Sequence, residues 1–153
     1  MELREFLLFV HVAAAIVWVG GAVTLEIFGS RVAGRGDTAS VIGFSKDAEV
    51  IGRLYGLATA LVLGFGVWMV IDSPAIDFTD TWILLALILT GLLFLMGPLF
   101  FEPSAKAIRA LAEEKGGAHP DVTGRIRRTM AVGRVDSLIA FFIVWLMVTK
   151  PGA

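Results

Sequence analysis

Four long apolar runs, at residues 6–28, 54–71, 82–101 and 131–148, constrain this chain more than any other feature. A helix that crosses the hydrocarbon of a bilayer needs about 20 predominantly apolar residues, and each run is at or near that length. Lipid offers no hydrogen-bond partners to the backbone, so each run must satisfy its own N–H and C=O groups as a helix. The chain is 57% hydrophobic and only 18% charged, against about 25% charged in soluble domains. The expected fold is therefore all-α: one domain over 1–153, an antiparallel bundle of four transmembrane helices. The first run is read as a retained helix. It follows Glu2, Arg4 and Glu5, whereas a cleavable signal peptide carries a positive leading segment.

The connectors set an orientation. The first carries Arg31, Arg35, Lys46 and Arg53, and the third carries Lys106, Arg109, Lys115, Arg125, Arg127, Arg128 and Arg134. The second, 72–81, has no Lys or Arg but holds Asp72, Asp77 and Asp80 around Pro74. Cytoplasmic connectors are enriched in Lys and Arg, so the first and third are expected in the cytoplasm of a bacterial inner-membrane protein, with both termini outside. Only Arg4 and Lys150 oppose this. Within the first connector, Val41, Ile42, Phe44, Val50 and Ile51 recur at helical spacing behind Asp37, a candidate N-cap. In the third, 104–115 is rich in helix formers, Gly116 and Gly117 end the segment and Pro120 restarts it. Helices extended into the cytoplasm follow, with kinks expected at Pro98 and Pro103.

Several functions are excluded or disfavoured. There is no cysteine, so disulfides, thiolate metal sites and cysteine nucleophiles are ruled out. A net charge of −1 argues against nucleic acid; Arg125, Arg127 and Arg128 suit membrane lipids with anionic head groups instead. No phosphate loop, nucleophile elbow or His-Glu-x-x-His is present. The chain does not read as an enzyme unless a cofactor supplies the chemistry.

His11 is the one ionisable side chain well inside the outer half of an apolar run. Such groups are costly in lipid and face the bundle interior. At 100° per residue, Trp18 lies almost directly below it, and Ala14, Ala15, Gly21 and Ala22 share the broad face, leaving room for a neighbouring helix or a flat ligand. Two readings follow: a histidine hydrogen-bonded to another helix, or an axial ligand to haem b iron. His11, Trp18 and Gly21 are then the candidate cofactor residues, with His11 the metal ligand. Copper would need a cluster of soft ligands, and the chain offers only scattered methionines.

Two stretches resemble known families. Leu-Leu-Phe-Val-His11 through Trp18-Val-Gly-Gly21, together with the ending Trp145-Leu-Met-Val-Thr-Lys150-Pro151, resembles a family of small four-helix bacterial integral membrane proteins without an established activity (DUF2269-like). More distantly, the opening is similar to HemJ-type protoporphyrinogen oxidases and CopD-type copper-resistance proteins. The HemJ-type resemblance implies haem binding at His11 with Trp18, and Arg53-Leu54-Tyr55 and Trp82 match its second and third helices. The third helix departs from that pattern: Ala86 and apolar or small residues through Gly97 replace a lysine and a further histidine. Oxidase chemistry is therefore not implied. A second axial ligand would come from Met69, Met147 or the His11 of a second copy.

Two further patterns remain. Glu26, Arg53, Glu102 and Arg134 sit near the inner ends of the four runs, with Asp136 just inside the last. Pairing of Glu26 with Arg53 and of Glu102 with Arg134 would clamp adjacent helices, and an ion pathway could use the same layer. Gly52, Gly56, Ala60 and Gly64 form a small-residue stripe, which fits close packing within the bundle or a homodimer seam. The functional readings are thus a haem protein for electron transfer or sensing, a small transporter or ion-conducting protein, and a non-catalytic interaction protein.

Overall fold

The computed structural model describes residues 2–152; the end residues of the expected 1–153 domain, Met1 and Ala153, lie outside it. Among the described residues the chain is all-α: α1 (Leu3–Arg35), α2 (Thr38–Ile71), α3 (Thr81–Met96), α4 (Glu102–Lys115) and α5 (Pro120–Thr149). A π-helical turn at Gly97–Phe101 joins α3 to α4. They thus act as one long third rod, and the fold comprises four rods each long and apolar enough to cross a membrane.

The turns explain where the rods stop. Glu2 and Glu5 form a capping box at the start of α1, which satisfies backbone donors reciprocally. Gly36 closes α1 in the left-handed conformation at φ 66°, where a side chain is disfavoured. Asp37 then caps α2 by accepting from the Ser40 N–H at 2.8 Å, and hydrogen bonding from Ser40, its side chain first and then its N–H, holds the Asp37 carboxyl below the usual carboxylate range. Just two residues, Gly36 and Asp37, therefore separate α1 from α2. The turn between α4 and α5 packs on this one: the Gly117 N–H donates to Thr38 Oγ1 at 2.8 Å. At the opposite end, Asp77 accepts from the Thr79 N–H and hydroxyl, both at 2.8 Å, ordering the 72–80 connector.

Pro98 lacks an N–H, and the helix accommodates it by widening. The Glu102 N–H donates to the Gly97 carbonyl five residues back. The kink expected here is thus a π turn.

Around the bundle the order is α1, α2, third rod, α5. α1 packs against α2 and α5, and α3 and α4 both pack against α5. α2 meets the third rod mainly through α4, with much less contact to α3. We call the end bearing both termini the terminal end, and the end bearing the 36–37 and 116–119 turns the basic end. The apolar interior falls into separate clusters. One, centred on Trp18, Val62, Ala86, Ala140, Ile143 and Leu146, fills the terminal half, and Val70, Trp82 and Ile83 extend it toward the 72–80 connector. Another, of Val41, Ile108, Ala112, Val122 and Ile126, seals the basic end.

Candidate functional site

Between those clusters lies a cavity of about 420 Å³, within the roughly 300–1,000 Å³ of small-molecule sites. Trp18 and Leu93 from the terminal-half core form its roof; Val41, Ile108 and Ile126 from the basic-end core form its floor. Gly52, Gly56 and Ala60 of α2 make one wall, facing Phe94, Gly97 and Pro98 of the third rod. The small residues leave the space between these walls open: no neighbouring atom lies within 4 Å of where a Cβ would stand at Gly52 or Gly56. The π turn contributes Gly97, Pro98 and Phe101; such turns recur at functional sites.

The small-residue stripe is therefore not a seam between helices of this chain. Gly64, beyond the cavity, also has open space where its side chain would be.

Charge at the site is organised differently from the expected clamps. Neither Glu26 with Arg53 nor Glu102 with Arg134 forms an ion pair among the described residues. Glu102 pairs with Lys106 one turn along its own helix, and Arg134 lies in a separate groove with Arg127 and Ser30. The ion pairs that do cross between helices join Arg109 of α4 to Glu49 of α2, at 2.6 Å, and Lys115 of α4 to Asp121 of α5, at 2.7 Å. Glu26 accepts from the Ser137 hydroxyl of α5 and lies close enough to Asp136 for their charges to interact. Asp136 Oδ1 is buried without a hydrogen-bond partner among the described residues. Glu26, Glu49, Arg53, Glu102 and Asp136 all line the cavity.

His11 lies apart from this cavity, about two turns above Trp18 on α1. It is half-buried, and its Nδ1–H donates to the Val62 carbonyl at 2.9 Å. Gly66 lies beside the ring: a Cβ there would stand 3.1 Å from His11 Cε1. The three expected cofactor residues are thus placed differently. Trp18 roofs the cavity, His11 bridges α1 to α2, and Gly21 receives the Tyr55 phenol, whose oxygen would be 2.1 Å from a Cβ at that position. At Gly21 the flat partner is a side chain of the protein, so the space expected there for a planar cofactor is already filled. Among the described residues there is no group of three or more His, Cys, Asp or Glu placed to hold a metal ion.

Sequence reasoning missed Tyr55, Thr59 and Ser137 as site residues. Thr59 lines the cavity with its hydroxyl returned to the Tyr55 carbonyl at 2.8 Å. A signal existed for Ser137, which adjoins Asp136 inside an apolar run. The family described as predicted integral membrane protein (DUF2269) matches residues 5–151. This chain belongs to the DUF2269 family. No curated protein and no solved structure matches it. As a DUF2269 member the chain is an integral membrane protein, and its four apolar rods agree with that description.

Proposed function

We propose that this DUF2269 protein is a small membrane transporter whose cavity takes up an amphipathic molecule from the bilayer. The observation that carries this reading is a ligand-sized cavity interrupting an otherwise apolar core, in the space that glycine and alanine leave at the weakly packed boundary of α2 and α3. A cavity this large leaves helix faces without packing partners, so a ligand that fills it is a direct reason to retain it. The Lys and Arg excess at the basic end supports a cytoplasmic position for that end, with both termini outside.

The test is fluorine NMR in lipid nanodiscs with a neutral trifluoromethyl-phenyl alcohol as probe. A saturable bound resonance, distinct from lipid-dissolved probe and absent in Ala60→Phe, is the expected result. A resonance that never saturates, or one unchanged in Ala60→Phe, would refute the reading.

A second reading, haem b bound at His11 for electron transfer or sensing, is favoured by one observation. The Nδ1–H bond to the Val62 carbonyl leaves the Nε2 lone pair as the free coordinating position, the arrangement usual for metal-ligating histidines. His11 would be the axial ligand and Val62 would orient it, outside the cavity. Haem added to the purified protein would then give a Soret band that His11→Ala abolishes; an identical spectrum in that variant would rule the reading out.

A further inference from the structure

Resting on the cavity reading, we infer that Glu26 and Asp136 recognise a cationic head group, a protonated amine carried on a small apolar body. The charges lining the cavity lead to this. Four carboxylates, Glu26, Glu49, Glu102 and Asp136, face it against one cation, Arg53. Glu49 is answered by Arg109 and Glu102 by Lys106, and Arg53 adds its field at Glu102. The remaining two carboxylates have no cation among the described residues. Glu26 has only the Ser137 hydroxyl, and Asp136 Oδ1 has no donor at all.

Such an arrangement is expensive in a low-dielectric interior. Burial without a counter-charge disfavours each ion, and two of like sign add repulsion. A positive ligand relieves both terms at once. An ammonium group presents three N–H donors and no acceptor, complementary to Asp136 Oδ1 and to a Glu26 carboxylate already steadied by Ser137. A carboxylate head group would be repelled, and an alcohol would supply one donor without charge. The body of the ligand would lie under Trp18 and Leu93 and against Gly56 and Ala60. A cavity of about 420 Å³ suits a short aryl- or alkylamine.

The experiment uses the nanodisc-reconstituted protein and the neutral alcohol resonance, displaced by the amine and the carboxylate of the same skeleton. The amine should compete at least about tenfold better than unlabelled alcohol, the factor that a charged hydrogen bond contributes over a neutral one. The carboxylate should compete least. Glu26→Gln and Asp136→Asn should each shrink the ratio by which the amine outcompetes the alcohol, because each removes a charge that only the amine can exploit. Should either variant fail to fold, the ranking of the three probes on the unmodified protein still decides. Equal displacement by amine and alcohol would overturn the cation inference and leave the cavity reading standing. A carboxylate that competes best would do the same. If the alcohol gives no saturable resonance, the cavity reading itself fails and this inference falls with it.

Discussion

The two halves of the bundle are built from similar apolar residues and pack in opposite ways. In the terminal half, Ala14, Ala86 and Ala140 bring helices together around Val62, Ile143 and Leu146, all nearly free of exposure. In the basic half, Gly52, Gly56 and Ala60 are equally small, yet nothing closes over them. Small residues therefore do not dictate close approach. They permit it, and the π turn and α4 carry the third rod toward α2 only below the cavity. The basic half is held at its floor, by the Glu49–Arg109 ion pair and by the Gly117–Thr38 turn contact.

Substitutions that exchange space between the halves break this contrast if it is wrong. The largest effect is expected from Ile143→Ala in the solid half, about 2–5 kcal/mol of stability, read as a lowered unfolding midpoint in detergent. Ala140→Leu, at a position 1% exposed, should cost about 1–3 kcal/mol by overpacking. Ala60→Leu, the same change against the cavity, should leave the midpoint within the ~0.5 kcal/mol typical of neutral sites. Equal losses at Ala140 and Ala60 would erase the distinction. Gly117→Ala sharpens it from below, because a Cβ would stand 2.8 Å from the Thr38 Cα and 3.0 Å from the Asp37 carbonyl carbon. A loss of about 1–3 kcal/mol is expected, since backbone must move, and it should appear as faster proteolysis at the 116–119 turn. A small loss of stability is expected from His11→Ala. One interhelical hydrogen bond in a membrane is worth about 0.6 kcal/mol, so the unfolding midpoint should shift only slightly.

Much of the fold was legible in the sequence, and for a physical reason. Hydropathy acts over whole spans, so four rods followed from composition alone, and local chemistry marked Asp37 as the α2 cap and Pro120 as the start of α5. What was not legible depends on helix order and rotation. Glu26 was expected to face Arg53; the rotation of α5 gives it Ser137 and Asp136 instead. Gly21 was expected to leave room for a neighbouring helix or a flat ligand, and Tyr55 of α2, 34 positions along the chain, lies over it. No one-dimensional pattern encodes which side chain fills a notch on a neighbouring helix. The cavity was hidden in the same way, since its roof and floor come from different rods and its walls resemble a packing motif.

The central claim is that the basic half is hollow and reachable, and the chain's lack of cysteine allows it to be tested directly. Thr59, 3% exposed, lines the cavity; Ala140, 1% exposed, lies in the solid core. Thr59→Cys and Ala140→Cys, each carrying one thiol, would be reacted with N-ethylmaleimide in nanodiscs. Thr59→Cys should react at least about tenfold faster, because local unfolding must precede reaction in a solid core and not at a cavity wall. Equal rates at the two positions would contradict it.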